Sequence, residues 1–223
     1  MFSGCKHQLG VRNIDDYTIY RNTPLKKNLS IGLVTSSDDV YCQIIANGIA
    51  DSLGKYSTDV MMLNDSSELK KVDVLAEVLI TPEYKGSGWN FWINFPGFIV
   101  FAPAWNGYVY KVNYNIDIKL INSSSPAEID SFKLPISLDV RHADINRTWT
   151  EVSLLEVGAI ALVSGIFFMQ YDNSVSPLLA KDLRTPLGSY VAQSIVKRVN
   201  ESKKFTHLPR ISDHDLLVST SSK

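Results

Sequence analysis

A chain of 223 residues is the size of one domain, or at most two small ones, and an apolar share of 45% is enough to bury a full core. Lys and Arg number 22 against 23 Asp and Glu, a net charge of −1. That balance excludes the basic excess of a nucleic-acid surface and points to no acidic partner.

The chain opens Met1-Phe2-Ser3-Gly4-Cys5. Small residues let a signal peptidase approach the backbone closely, and the run resembles the end of a lipoprotein signal peptide. There, the cysteine receives a lipid and becomes the new N-terminus. Cys5 is the lipidation site this implies. Phe2 departs from the usual Leu, and no basic or apolar leader stretch precedes it. The expectation is either a true start further upstream or a trimmed sequence, with a cytosolic start and an incidental cysteine as the alternative. Lys6 to Leu29 is polar and reads as a tether. Residues 1–29 are therefore expected to be an anchor remnant and tether, 30–202 a single α/β domain and 203–223 a mobile tail. Lys6 after the cysteine, rather than Asp, is by resemblance to enterobacterial lipoproteins an outer-membrane sorting pattern.

Ile31 to Thr35 predicts a buried strand. Ser36 or Ser37 is placed as the N-cap of a helix carrying Tyr41, Ile45, Ile49 and Leu53, with Gly54 as its stop. Cys42 falls on the apolar side of that helix, which suits a buried thiol, with a Cys5–Cys42 disulfide as the alternative. Asp59 to Leu63 predicts a second strand, so a βαβ unit with parallel strands follows. Val72 to Ile80 predicts a third, ended by Pro82 and Lys85-Gly-Ser-Gly88.

Residues 89–105 are dense in aromatics: Trp89, Phe91, Trp92, Phe95, Phe98, Phe101 and Trp105. Pro96, Gly97 and Pro103 forbid one long helix. A segment this apolar needs a cover. Its own core, a partner or ligand interface, and a membrane interface all fit.

Residues 107–122 alternate strictly, with Tyr108, Tyr110, Val112, Tyr114, Ile116, Ile118 and Leu120 on one face. Phe132, Leu134, Ile136, Leu138 and Val140 alternate likewise. The pair predicts a long antiparallel hairpin, with Pro135 at a free edge or a bulge. His142 closes the second strand and reads as part of a solvated turn.

Val152 to Met169 is an apolar stretch including Val157, Ile160, Leu162, Ile166 and Phe167. Glu156 interrupts it, and its uninterrupted part is shorter than a bilayer span of about 17 residues or more. A core helix is expected, with membrane association as the alternative. A last helix is placed with Thr185 as N-cap and Pro186 at its first position. The basic residues Lys197, Arg198, Lys203 and Lys204 close it, as suits a helix C-terminus. The expected fold is α/β, with α+β as the alternative: a βαβ unit, a long hairpin and two C-terminal helices on a single mixed sheet.

No Walker loop, Gly-x-Ser-x-Gly or Gly-x-Gly-x-x-Gly occurs, and the two cysteines form no Cys-x-x-Cys pair for zinc. The expectation is a non-enzymatic chain with no cofactor and no metal. Three stretches, Phe95-Pro-Gly-Phe with Ala-Pro-Ala-Trp-Asn-Gly-Tyr108, Arg147-Thr-Trp-Thr-Glu151, and Glu156-Val-Gly-Ala-Ile-Ala-Leu-Val, together resemble a group of uncharacterised Gram-negative outer-membrane lipoproteins. More distantly, the order of elements from Ile31 to the Val72 strand looks like the small α/β domain of periplasmic assembly lipoproteins. These include the Pel export lipoprotein, the curli secretion channel and the N-terminal domain of TolB. The resemblance implies an assembly or export accessory at the periplasmic face of the outer membrane. It would be held to the membrane by its lipid anchor and be a homo-oligomer or bound to an envelope protein partner. The alternative is a binding module whose aromatic loop holds a glycan, peptide or small ligand.

Overall fold

The computed structural model describes residues 8–18, 25, 29–37, 39–57, 59–64, 72–94, 102, 106–123, 128–143 and 169–202. Its elements in chain order are β1 (Gln8–Val11), a 3-10 turn (Ile14–Tyr17), β2 (Ser30–Thr35), α1 (Val40–Leu53), β3 (Asp59–Met62), β4 (Val74–Lys85), α2 (Trp89–Asn94), β5 (Tyr108–Asn122), β6 (Glu128–Ala143) and α3 (Val175–Glu201). The six strands form one mixed sheet in the order β1-β6-β5-β4-β2-β3. β2 is parallel to both β3 and β4, whereas β4, β5, β6 and β1 pair antiparallel. This is the α/β class the sequence predicts, βαβ unit and hairpin included.

The hairpin follows from its alternation. Tyr108, Tyr110, Val112, Tyr114, Ile116, Ile118 and Leu120 are all buried, as are Ile136, Leu138 and Val140. Against this face lie α1, through Cys42, Ile45, Ile49 and Leu53, and α3, through Leu179, Leu183, Leu187, Val191 and Ile195. The opposite face carries cross-strand polar pairs, among them Glu77 beside Lys119 and Asp117 beside Lys133. A sheet covered on one face gives this in-out pattern. A smaller apolar cluster of Val34, Leu63, Val72 and Leu75 joins the parallel strands.

Local chemistry moves several boundaries. Asp39, rather than Ser36 or Ser37, caps α1: its carboxylate accepts the Tyr41 and Cys42 N–H groups at 2.7 and 3.3 Å. Gly54 ends α1 with φ −58°, a right-handed conformation. β4 runs through Pro82 to Lys85, because β2 pairs with it only as far as Val78 and leaves an open edge beyond. Pro135 likewise lies where β1 no longer pairs with β6, so it is at a free edge, as its missing N–H requires. α3 starts at Val175, not at Thr185, and Pro186 is inside it. The proline forfeits the hydrogen bond to the Asp182 carbonyl, and Asp182 is exposed, so solvent can take that group. The apolar stretch 152–168 and the tail from 203 lie outside the described residues, and among those that are described no helix is long and apolar enough to cross a membrane.

The segment read as a polar tether contributes to the sheet. Gln8–Val11 pairs with Ala143–Val140. Beyond it, the Arg12 N–H donates to the Asp139 carbonyl at 3.0 Å, and the Asp139 N–H donates to Asn13 Oδ1 at 2.9 Å. The Ser137 N–H donates to the Tyr17 hydroxyl at 3.0 Å, and the Tyr17 ring meets Tyr190 of α3 edge-on at 5.3 Å. Backbone groups of the β6 edge are thereby satisfied by the chain's own start.

Candidate functional site

α2 follows β4 after three residues, in the place that β4 would occupy beside β5. The last pair of β4 with β5 is Lys85 with Lys111. Two residues further along β5, Asn90 substitutes for a strand residue. Its side-chain Nδ2 donates to the Val109 carbonyl at 2.9 Å, and its Oδ1 accepts the Val109 N–H at 2.7 Å. Asn90 is 0% exposed. Ile93 and Ala102 are buried beside it in the main core. Gly107, with φ +70°, then turns the chain into β5, where any Cβ would strike the backbone of His142.

On this fixed root, α2 points two large rings outward. Trp89 is 58% exposed and Trp92 57%. Phe91 is half-buried and meets Trp92 edge-on at 5.4 Å. Of the aromatics singled out in the sequence, the structure therefore brings Trp89, Phe91 and Trp92 together. Phe95, Phe98, Phe101 and Trp105 lie outside the described residues, as do Cys5 and Val157, Ile160, Leu162, Ile166 and Phe167.

Tyr110, which the alternation pattern placed in the core, belongs to a tyrosine cluster with Tyr84 and Tyr171. Tyr84 stacks on Tyr171 at 4.6 Å, Tyr110 meets Tyr171 edge-on at 5.2 Å, and Tyr171 shares a hydrogen bond with Ser176 at 3.0 Å. Gly86 lets the Met169 carbonyl close over the end of β4. Burial raises the Tyr84, Tyr114 and Tyr171 hydroxyls above the ordinary phenol range. Burial likewise pushes the Cys42 thiol up to about 11, with Asp39 adding to the rise and a Ser37 hydrogen bond opposing it. These groups keep their protons near pH 7. His142 is 2% exposed and faces inward, which corrects the reading of a solvated turn.

A second feature was not foreseen. A concavity of about 420 Å³ is lined on the outer face of the sheet by Leu79, Glu77, Asp117, Lys119 and Lys133, among others. Lys133 and Asp117 form an ion pair at 2.9 Å. Its residues come from three strands, so only the register brings them together.

No protein-family model matches this sequence, and no curated protein does. Solved structures with a similar arrangement of elements include lipoproteins. The uncharacterized lipoprotein B from Nitrosomonas europaea is 8% identical, with 84% of this chain and 93% of that chain covered at a TM-score of 0.43. The rare lipoprotein B from Shewanella oneidensis is 11% identical, with 77% and 97% covered at 0.37. The PelC dodecamer from Paraburkholderia phytofirmans is 11% identical, with 59% and 81% covered at 0.35. At these identities and scores the similarity concerns the arrangement of elements and says nothing of role.

Proposed function

We propose that this chain is a non-enzymatic envelope lipoprotein, held by a lipid on Cys5 at the periplasmic face of the outer membrane, and that it serves there as an assembly or export accessory. In this reading its contact surface is α2, and it works as a homo-oligomer or beside an envelope protein partner. The observation that carries the reading is the pair Trp89 and Trp92, each more than half exposed on a helix whose root is fully buried. Large exposed rings on a rigid support are a contact surface. Asn90 holds them in place before any partner arrives, which reduces the ordering cost of binding. The test is metabolic labelling with a fatty acid, and membrane fractionation, of the natively expressed gene beside Cys5→Ala. Label and outer-membrane sedimentation in the wild type, both lost in the variant, support the reading. An unlabelled chain in the cytosol overturns it.

The concavity on the outer face favours a second reading, a binding module. It offers exposed Leu79 with charges of both signs around it, which suits a zwitterionic peptide or small ligand. Titration calorimetry with envelope peptides, comparing wild type with Lys133→Ala, tests it. Heat that disappears in the variant supports the module, and silence in both removes it.

A further inference from the structure

We infer that Trp89 and Trp92 dock into the headgroup layer of the bilayer itself, as a second contact that fixes how the domain stands on the membrane. The inference rests on the lipid at Cys5 proposed above, and it names the occupant of the same surface.

Gln8, where β1 begins, is three residues after Cys5. Three residues span at most about 11 Å even when fully extended. Gln8 pairs with Ala143, and the neighbouring His142 pairs with Tyr108 at the start of β5. Asn90 binds Val109, the next residue of β5, in the place of a β4 residue. From Gln8 to Asn90 is thus a walk of three strand spacings along one end of the sheet, about 14 Å. β1 leaves no long tether between anchor and domain. A lipid on Cys5 draws this end of the sheet down to the bilayer surface, and the two exposed tryptophans are at the same end.

The chemistry of the rings agrees. Tryptophan is amphipathic and concentrates at headgroup depth. α2 carries no charged residue, its sequence being Trp-Asn-Phe-Trp-Ile-Asn, so no ionised group in the helix has to be desolvated as it enters. The opposite end of the molecule is different in kind. There Arg198 lies over the Phe132 ring at 5.1 Å and pairs with Asp130 at 3.7 Å. That end suits water, and it places the basic C-terminus of α3 away from the anchor.

The test uses the full-length lipidated chain carrying Trp105→Phe and Trp149→Phe, so that only Trp89 and Trp92 emit. It is reconstituted in vesicles of phosphatidylethanolamine and phosphatidylglycerol, with acyl chains brominated near the headgroup in one set and unbrominated in the other. The inference expects a blue-shifted emission that is quenched in the brominated set. A chain that carries its lipid and floats with the vesicles, but whose emission is neither shifted nor quenched, overturns the inference and leaves the lipoprotein reading standing. A chain that carries no lipid on Cys5 overturns both. Trp89→Ser/Trp92→Ser gives an independent reading. It falls on exposed rings, so its circular dichroism should match the wild type while vesicle retention in high salt is lowered. Unchanged retention in that variant also counts against the inference.

Discussion

Gly48 of α1 and Gly188 of α3 meet backbone to backbone. A Cβ on Gly188 would fall within the radius of the Gly48 carbonyl group, and one on Gly48 would strike the carbonyl oxygen of Arg184. The close approach is clasped on either side by the Ser52–Ser189 hydroxyl pair at 3.2 Å and the Arg184–Asp51 ion pair at 2.6 Å. It sets the distance between the two helices that cover the sheet. Replacing Gly188 by Ala should destabilise the fold. Overpacking costs roughly 1–3 kcal/mol, and the better helix propensity of Ala returns at most about 1 kcal/mol. Urea denaturation should show a lower midpoint for Gly188→Ala and a lower one still for Gly188→Val. An unchanged midpoint for the valine variant would mean that the helices are free to move apart.

Asn90 is the root of the aromatic surface. Asn90→Ala leaves the half-buried N–H and carbonyl of Val109 without these partners, a loss of about 1 kcal/mol or somewhat more. Because that loss is local, α2 should loosen before the sheet does. The expected result is earlier hydrogen exchange at the Val109 amide, with little change at buried Ile116. Equal change at both sites would show that Asn90 supports the whole domain rather than α2.

Asn13 tests whether the start of the chain belongs to the domain. It bonds the β6 edge twice, to the Ser137 carbonyl and to the Asp139 N–H. Asn13→Ala should remove about 0.5–1.5 kcal/mol for each bond lost. The Asp139 amide should lose its exchange protection. Protection that survives would mean that β1 pairing and the Arg12 and Tyr17 bonds hold the segment without Asn13.

Cys42 predicts a pH dependence with a definite sign. Its thiol ordinarily titrates near 9.0, and burial in α1 pushes it up to about 11. Above the unfolded pKa the unfolded chain has lost this proton while the folded chain keeps it. Stability should therefore fall as pH rises from about 9 toward 11. The buried tyrosines are raised as well and add to the fall once pH passes their ordinary value of 10.0. Between pH 9 and 10 the slope should be dominated by Cys42, and Cys42→Val should flatten it by about one proton. Denaturant titrations at several pH values give the slope directly. An equal slope in both proteins would place the proton elsewhere.

Much of this architecture was legible in the residues, and the reasons differ by element. The hairpin was legible because one covered face imposes strict alternation from Tyr108 to Leu120. α1 was legible because Ile45, Ile49 and Leu53 repeat at helical spacing. β1 was not, since a four-residue edge strand is held by backbone pairing to β6 and leaves little trace in its side chains. The start of α3 was misplaced because Thr185-Pro186 imitates a helix start. Leu179 and Leu183, one turn apart upstream of it, are the signal that points to a longer helix. Aromatic density drew attention to Trp89 and Trp92, yet nothing in the local sequence marked Asn90 as their support. Its partner Val109 is 19 residues away, and only the end of β4 makes room for it. The outer concavity is a product of register across three strands and has no motif of its own.

Mass spectrometry of the mature chain, extracted from membranes of the native host, reads the anchor itself. The account predicts Cys5 as the first residue, carrying the mass of a diacylglycerol. A chain that retains Met1 ahead of an unmodified Cys5 would contradict it. The short reach from anchor to aromatic surface would then have no anchor to start from.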